Sequence, residues 1–181
     1  MNTLYGDVSN AIIDKASQIK LLVCDVDGVF SDGRIYLGND GEELKAFHTK
    51  DGFGIKALIK SGVEVAIITG RNSTIVENRM KSLTVQHIVQ GQEDKLPAME
   101  NIMAELGLVA EQVAFIGDDM PDFPCINKAG LGVAVSDAHP AVKNGADYVT
   151  FTPGGFGAVR ELCDLIMQSQ NTLAQAKGAS V

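Results

Sequence analysis

With 181 residues and 45% apolar side chains, the chain is long enough for one well-packed core and too rich in core formers for a disordered segment or a disulfide mini-scaffold. Its formal net charge of −8 argues against a nucleic-acid backbone as partner, and an anionic ligand would have to be met by a local cluster of cations. No apolar run approaches the roughly 18 residues of a membrane span, the polar N-terminus lacks a signal-peptide pattern, and the three cysteines show no metal-like spacing; a cytoplasmic protein with no membrane partner is expected.

In chain order, "SNAIIDKASQ" reads as a short amphipathic helix from Ser9, and "LLVCDV" as a core strand that is apolar on both faces. Residues 34–48 alternate loosely around the turn signal "NDG", as an inserted hairpin would. "GFGIKALIKSG" then reads as a helix closed by Gly62, "VEVAIIT" as a strand, "NSTIVENRMKSL" as a helix and "VQHIVQG" as a short strand. "KLPAMENIMAELG" is a helix with Pro97 in its first turn. "QVAFIGD" is a strand, "PDFPCINKAG" a short helix, and "LGVAV" and "YVTF" are further strands. "FGAVRELCDLIMQSQ" closes the fold as an amphipathic helix, and residues 171–181 are expected to be a mobile tail. No linker divides the chain, so residues 1–181 are read as a single domain. The expected class is α/β, a three-layer Rossmann-like parallel sheet with helices on both faces.

Ligands of such sheets bind at the carboxyl ends of the strands. There the first strand delivers Asp25 and Asp27, the second Thr69 and Arg71, and the fourth Asp118, Asp119 and Asp122, while Lys95 opens the helix after the third. Any one of these suits a cap or turn, but four distant segments converging with acids, a hydroxyl and a lysine suit phosphoryl transfer. An unaided phosphate monoester hydrolyses so slowly that a site must remove on the order of 20 kcal/mol of barrier. Clustered carboxylates invite a hard cation such as Mg²⁺, one carboxylate can attack phosphorus, and a second acid can serve the leaving oxygen and then water.

"DVDGV", "ITGR", Lys95 and "GDDMPD" resemble the four motifs of the haloacid dehalogenase-like phosphatases. The resemblance implies that Asp25 is nucleophile and Mg²⁺ ligand, and that Asp27 is general acid/base with its backbone carbonyl on the metal. It implies further that Thr69 and Lys95 hold the transferring group, Asp118 binds metal directly, Asp119 supports it from behind, and Asp122 orients a neighbour such as Lys95. The gaps between motifs leave no room for a cap domain.

From "YGDVS" through "DVDGVFSDGRIY", "GNDGEELKAFH", "KDGFGIK", "VAVSDAHP", "ADYVT" and "GGFGAVRE" to "AKG", the chain is similar to the capless 3-deoxy-D-manno-octulosonate 8-phosphate phosphatases. This implies hydrolysis of an eight-carbon acidic sugar phosphate in lipopolysaccharide synthesis, and a homotetramer whose hairpins associate while a neighbouring subunit covers each site. It also implies substrate contacts from Asp27, His48, Thr49, Lys50, Asp51, Gly52, Lys56, Arg71, Arg79 and Lys95. Of these, Lys50, Lys56, Arg71, Arg79 and Lys95 form the cationic set that an anionic ligand requires. Two positions depart from the pattern: Lys50 stands where the family usually has Arg, and Phe156 where a polar or basic residue is common. A signalling receiver module is disfavoured because the third strand ends "IVQGQ" without an aspartate. A non-catalytic interaction domain is disfavoured by the complete motif set, whereas a nine-carbon ulosonate phosphate stays open as substrate.

Overall fold

The computed structural model describes residues 2–176. The apolar run just before "DVDGV" forms β1 (Leu21–Cys24), every residue of which is buried. It lies between β4 (Glu64–Ile68) and β6 (Val113–Gly117), with Leu21–Cys24 set parallel against Glu64–Ile67 and Val113–Ile116. Outside these come β5 (His87–Val89) on one side, and β7 (Leu131–Ala134) and β8 (Tyr148–Val149) on the other, giving the parallel order β5-β4-β1-β6-β7-β8. The chain winds outward in one direction from β1 to β5 and in the other from β6 to β8. Their meeting point, beyond the carboxyl ends of β1, β4 and β6, is the switch-point crevice of an open α/β sheet.

Helix α1 (Asn10–Ser17), capped by the Ser9 hydroxyl, packs on α7 (Ala158–Ser169), which also carries α2 (Thr49–Lys60). Helix α3 (Thr74–Ser82) connects β4 to β5. The other layer holds α4 (Lys95–Leu106), α5 (Phe123–Lys128) and α6 (Pro140–Gly145). The core is one continuous cluster of buried side chains contributed by both layers and the sheet.

Several boundaries differ from expectation for local reasons. Strand β1 stops at Cys24 because the Val26 carbonyl accepts from the N–H groups of Val29, Phe30 and Ser31, which turns the chain tightly. Helix α2 starts at Thr49, three residues ahead of the expected Gly52, so Asp51 and Gly52 are buried in its first turn. Glycine is tolerated inside this helix because α7 crosses closely: a Cβ on Gly54 would lie 3.1 Å from the Arg160 Cα. Helix α6 was not anticipated, being a single short helix between Pro140 and Gly145 with the His139 ring accepting from the Ala141 N–H. The hairpin is real but slight, with only Tyr36–Leu37 (β2) and Glu43–Leu44 (β3) paired. Residues 171–176, read from sequence as part of a mobile tail, make a helical turn that lays Leu173 and Ala176 against the core; residues 177–181 lie outside the described residues, and with them most of the "AKG" segment.

Candidate active site

Past β1 the backbone bends so that Asp25 and Asp27 face the crevice. Gly28 completes the bend with a φ of +89°, and a side chain there would run into the Asp118 carboxylate. A left-handed φ and a blocked Cβ both demand glycine. The bend is buttressed from behind: the Gly155 N–H donates to the Val29 carbonyl at 2.9 Å, and the Gly154 N–H to Asp137 at 2.8 Å. That loop is itself held by Glu161, a buried carboxylate that accepts from the Tyr148 hydroxyl and from the N–H groups of Phe151 and Thr152.

The crevice is a cavity of about 360 Å³ in which Asp25, Asp27, Thr69 and Arg71 meet Lys95. Asp118, Asp119 and Asp122 close its other side. Lys95, 4% exposed, bridges two buried carboxylates, with Nζ 2.7 Å from Asp25 Oδ1 and 2.6 Å from Asp122 Oδ1. Burial pulls its pKa down, but Asp25 and Asp122 outweigh burial and raise it above the usual lysine range. Asp122 Oδ2 accepts from the N–H groups of Asp118 (2.9 Å) and Asp119 (3.3 Å), so Asp122 fastens both Lys95 and the loop that carries Asp118. Gly117 makes room for it, since a Cβ there would strike the Asp122 side chain. Asp119 is exposed and caps the following turn by accepting from the Met120 N–H at 2.8 Å. Thr69 is buried at the end of β4, its backbone held between Val89 and Gln92.

Burial and the neighbouring Asp122 push Asp25 up to about 6, and burial with Asp25 and Asp122 pushes Asp118 up to about 8. Such crowding is what a divalent cation relieves. Carboxylate oxygens of Asp25, Asp118 and Asp122 all lie within 4.8 Å of one another, and a set of hard oxygens fits Mg²⁺. Because Asp122 is already committed to Lys95 and two N–H groups, the donors left for a metal are Asp25 and Asp118. Both carboxyls have folded-state pKa values raised above the ordinary value. Their contribution to metal-free stability is therefore full below about pH 4 and is lost as pH rises through about 6 and then 8. Mg²⁺ requires the ionised forms. Saturating Mg²⁺ is thus expected to raise the melting temperature by about 5–10 °C near pH 8 and by far less near pH 5, as thermal melts with and without the ion will show. Equal increments at both pH values would contradict this placement of the metal.

The remaining expected residues do not reach this crevice within one chain. His48 caps α2, its Nδ1 accepting from the Lys50 N–H at 3.1 Å. Asp51 is 1% exposed; one carboxylate oxygen accepts from the Arg160 N–H at 2.8 Å, the other has no partner, and burial pushes the group up to about 6. In this chain it straps α2 to α7. Lys50 lines a separate recess of about 290 Å³ with Tyr5, Phe156 and Arg160. Thr49, Gly52, Lys56 and Arg79, on α2 and α3, are likewise absent from the crevice lining. Conversely, Lys45 and Glu43 of the hairpin stand at the site without having been anticipated: Lys45 Nζ contacts Asp27 Oδ1, and Glu43 Oε2 lies 2.7 Å from Arg71 Nη2. Strand alternation was the available signal, since it puts residues 43 and 45 on one face.

A parallel sheet with two aspartates after its first central strand, a lysine-bridged acid pair and no cap domain defines a haloacid dehalogenase-like hydrolase, and the profile of that family matches residues 84–159. The 3-deoxy-D-manno-octulosonate 8-phosphate phosphatase KdsC of Salmonella typhi is 52% identical over 99% of this chain and 95% of its own length. The crystal structure of the corresponding Yersinia pestis phosphatase superposes with a TM-score of 0.98 at 52% identity, covering 100% of this chain and 98% of that one. The Moraxella catarrhalis phosphatase, in complex with magnesium ion, phosphate ion and KDO, superposes with a TM-score of 0.91 at 45% identity over 93% of this chain and 97% of that one. The chain belongs to the 3-deoxy-D-manno-octulosonate 8-phosphate phosphatase family.

Proposed function

We propose that the crevice works as a Mg²⁺-dependent phosphomonoesterase site in which Asp25 is the nucleophile and Asp27 the general acid/base. The chain is the phosphatase that converts 3-deoxy-D-manno-octulosonate 8-phosphate to KDO and inorganic phosphate. One observation carries the assignment of residues: the Asp25 carboxylate is fixed at 2.7 Å by a buried lysine whose other partner is the acid fastening the metal-binding loop.

Bound Mg²⁺, held by Asp25, Asp118 and the Asp27 carbonyl, lowers the repulsion between carboxylate and phosphate and offsets transition-state charge. Asp25 supplies the oxygen that attacks phosphorus; the ester P–O bond breaks, and Asp27 gives its proton to the departing sugar oxygen. Asp27, now a carboxylate, takes a proton from water as that water attacks the phosphorus of the aspartyl-phosphate, which frees phosphate and Asp25. Lys95 and Thr69 hold the phosphoryl oxygens, and Asp119 supports the loop of Asp118. Arg71, at the rim, offers a fork for the sugar carboxylate.

Residues 1–181 act as one domain in this reading, in the cytoplasm; no helix among the described residues is long and apolar enough to cross a membrane. The active form is a homotetramer. Ile35, Tyr36, Leu37 and Leu44 are all exposed on the hairpin, Leu37 by 72%, an apolar surface that a monomer would leave in water. His48, Thr49, Lys50, Asp51, Gly52, Lys56 and Arg79 then act on substrate through the assembly, as contacts or supports presented to a neighbour's crevice. Comparing kcat/KM for eight- and nine-carbon ulosonate phosphates, with Mg²⁺ and with chelator, tests the reading. The eight-carbon substrate is expected to be preferred, activity to vanish with chelator, and light scattering of the active sample to give four chains per particle. Activity in chelator would refute the mechanism, a nine-carbon preference the substrate, and an active monomer the assembly.

A further inference from the structure

The hairpin is mostly solvent-facing, yet the Lys45 side chain within it is wholly buried. Its Nζ contacts Asp27 Oδ1 on one side and lies 3.4 Å from Glu43 Oε1 on the other. The second Glu43 oxygen takes the Arg71 guanidinium at 2.7 Å, and this hydrogen bond, with Lys45, holds Glu43 below the usual carboxylate range against the opposing effect of burial. Four charges therefore run in a line, Asp27–Lys45–Glu43–Arg71, from the proton-handling group to the rim of the crevice.

Stability alone gives little reason for this line. A two-stranded ribbon is marginal by itself, and taking a lysine out of water costs more than an ion pair reliably returns. A methionine-like side chain would dock the hairpin as well. What the ammonium adds is direction: Asp27 lies past the end of β1 in a turn, its side chain is partly exposed, and the only charged group fastening its carboxylate among the described residues is Lys45. Glu43 in turn draws the ammonium by charge at 3.4 Å, without a hydrogen bond to Oε1, and its other oxygen stands on the guanidinium that the sugar carboxylate would claim.

We propose that Lys45 is a positioning residue of the reaction, holding Asp27 through Oδ1 so that its other carboxyl oxygen faces the leaving group with the proton, with Glu43 linking that hold to Arg71. This rests on the phosphatase reading above, in which Asp27 serves the leaving group. The test compares wild type, Lys45→Met, Lys45→Arg, Glu43→Gln and the Lys45→Met/Glu43→Gln double variant, on the eight-carbon sugar phosphate and on p-nitrophenyl phosphate, whose leaving group needs no proton.

Lys45→Met is expected to lower kcat on the sugar phosphate by about 100-fold with KM changed by less than about 3-fold, which is the scale of a general acid out of place. Lys45→Arg should recover roughly 10-fold of that loss, since it keeps the charge but not the shape. The first-turnover burst on p-nitrophenyl phosphate should slow by less than about 5-fold, and the double variant should lose no more kcat than Lys45→Met, as members of one chain are non-additive. Equal losses on both substrates in the first turnover, a change in KM alone, no recovery with Arg, or additive losses would each overturn the proposal. If wild type itself left the sugar phosphate intact, the phosphatase reading would fall instead, so the two failures are distinguishable.

Discussion

Replacing Asp25 by Asn is expected to lower turnover by on the order of 10⁵-fold while leaving the fold intact, because it removes the proposed nucleophile and little else. The carboxamide is isosteric, and the Lys95 ammonium can still donate to its carbonyl oxygen. Removing a charge from the crowded site should also ease its neighbours: Asp118 is raised first by burial and next by Asp25, so its pKa should fall toward the ordinary range. Metal-free Asp25→Asn should therefore melt no lower than wild type near pH 8, and should gain less from Mg²⁺, having lost one of two carboxylate donors. Steady-state assays paired with thermal melts check both halves. Turnover within tenfold of wild type would reject Asp25 as nucleophile, and a large drop in melting temperature would reject the account of the crowding.

The opposite behaviour is expected of Lys95→Met. Here activity falls and the fold suffers too, because two buried carboxylates, Asp25 at 6% and Asp122 at 1% exposure, lose the one cation they share. Breaking a buried ion network by removing one partner costs about 3–5 kcal/mol, or roughly 6–20 °C in a chain of this size. The loss should be greatest near pH 8 without metal. It should shrink as pH falls from 8 toward 6, because Lys95 holds the Asp25 pKa down and its loss lets Asp25 take up a proton at a higher pH than in wild type. Melting curves across that range check the sign. A pH-independent loss would mean that Lys95 contributes packing rather than charge. The contrast matters because both substitutions abolish activity by touching the same contact, yet only one leaves unpaired charge behind.

Which parts of this site were legible beforehand follows from how each residue is placed. Asp25, Thr69, Lys95 and Asp118 sit where an apolar run stops or a helix starts, so periodicity alone located them, and the switch point at β1 made them neighbours. Fold class followed from the same alternation. Contacts set by packing between distant segments were harder. Gly54 falls inside the expected helix although glycine disfavours helix interiors; it is there because α7 passes too close for a side chain, a fact of the pairing with Arg160 and Cys163 more than 100 residues away. With α2 starting at Thr49, ahead of the expected Gly52, Asp51 lies in its first turn and accepts from the Arg160 N–H. Helix α6 is too short to show a period. Lys45 carried a signal in its alternation with Glu43, but its partner Asp27 could be known only once the hairpin folded back over the crevice.

Trapping the covalent intermediate tests the central claim most directly. Enzyme turning over 3-deoxy-D-manno-octulosonate 8-phosphate with Mg²⁺ is quenched in acid, reduced with borohydride, which converts an aspartyl-phosphate to homoserine, and mapped by peptide mass. Homoserine at position 25, absent without substrate and absent in Asp25→Asn, is the predicted result; reduction at another aspartate, or at none while phosphate is released, would contradict it.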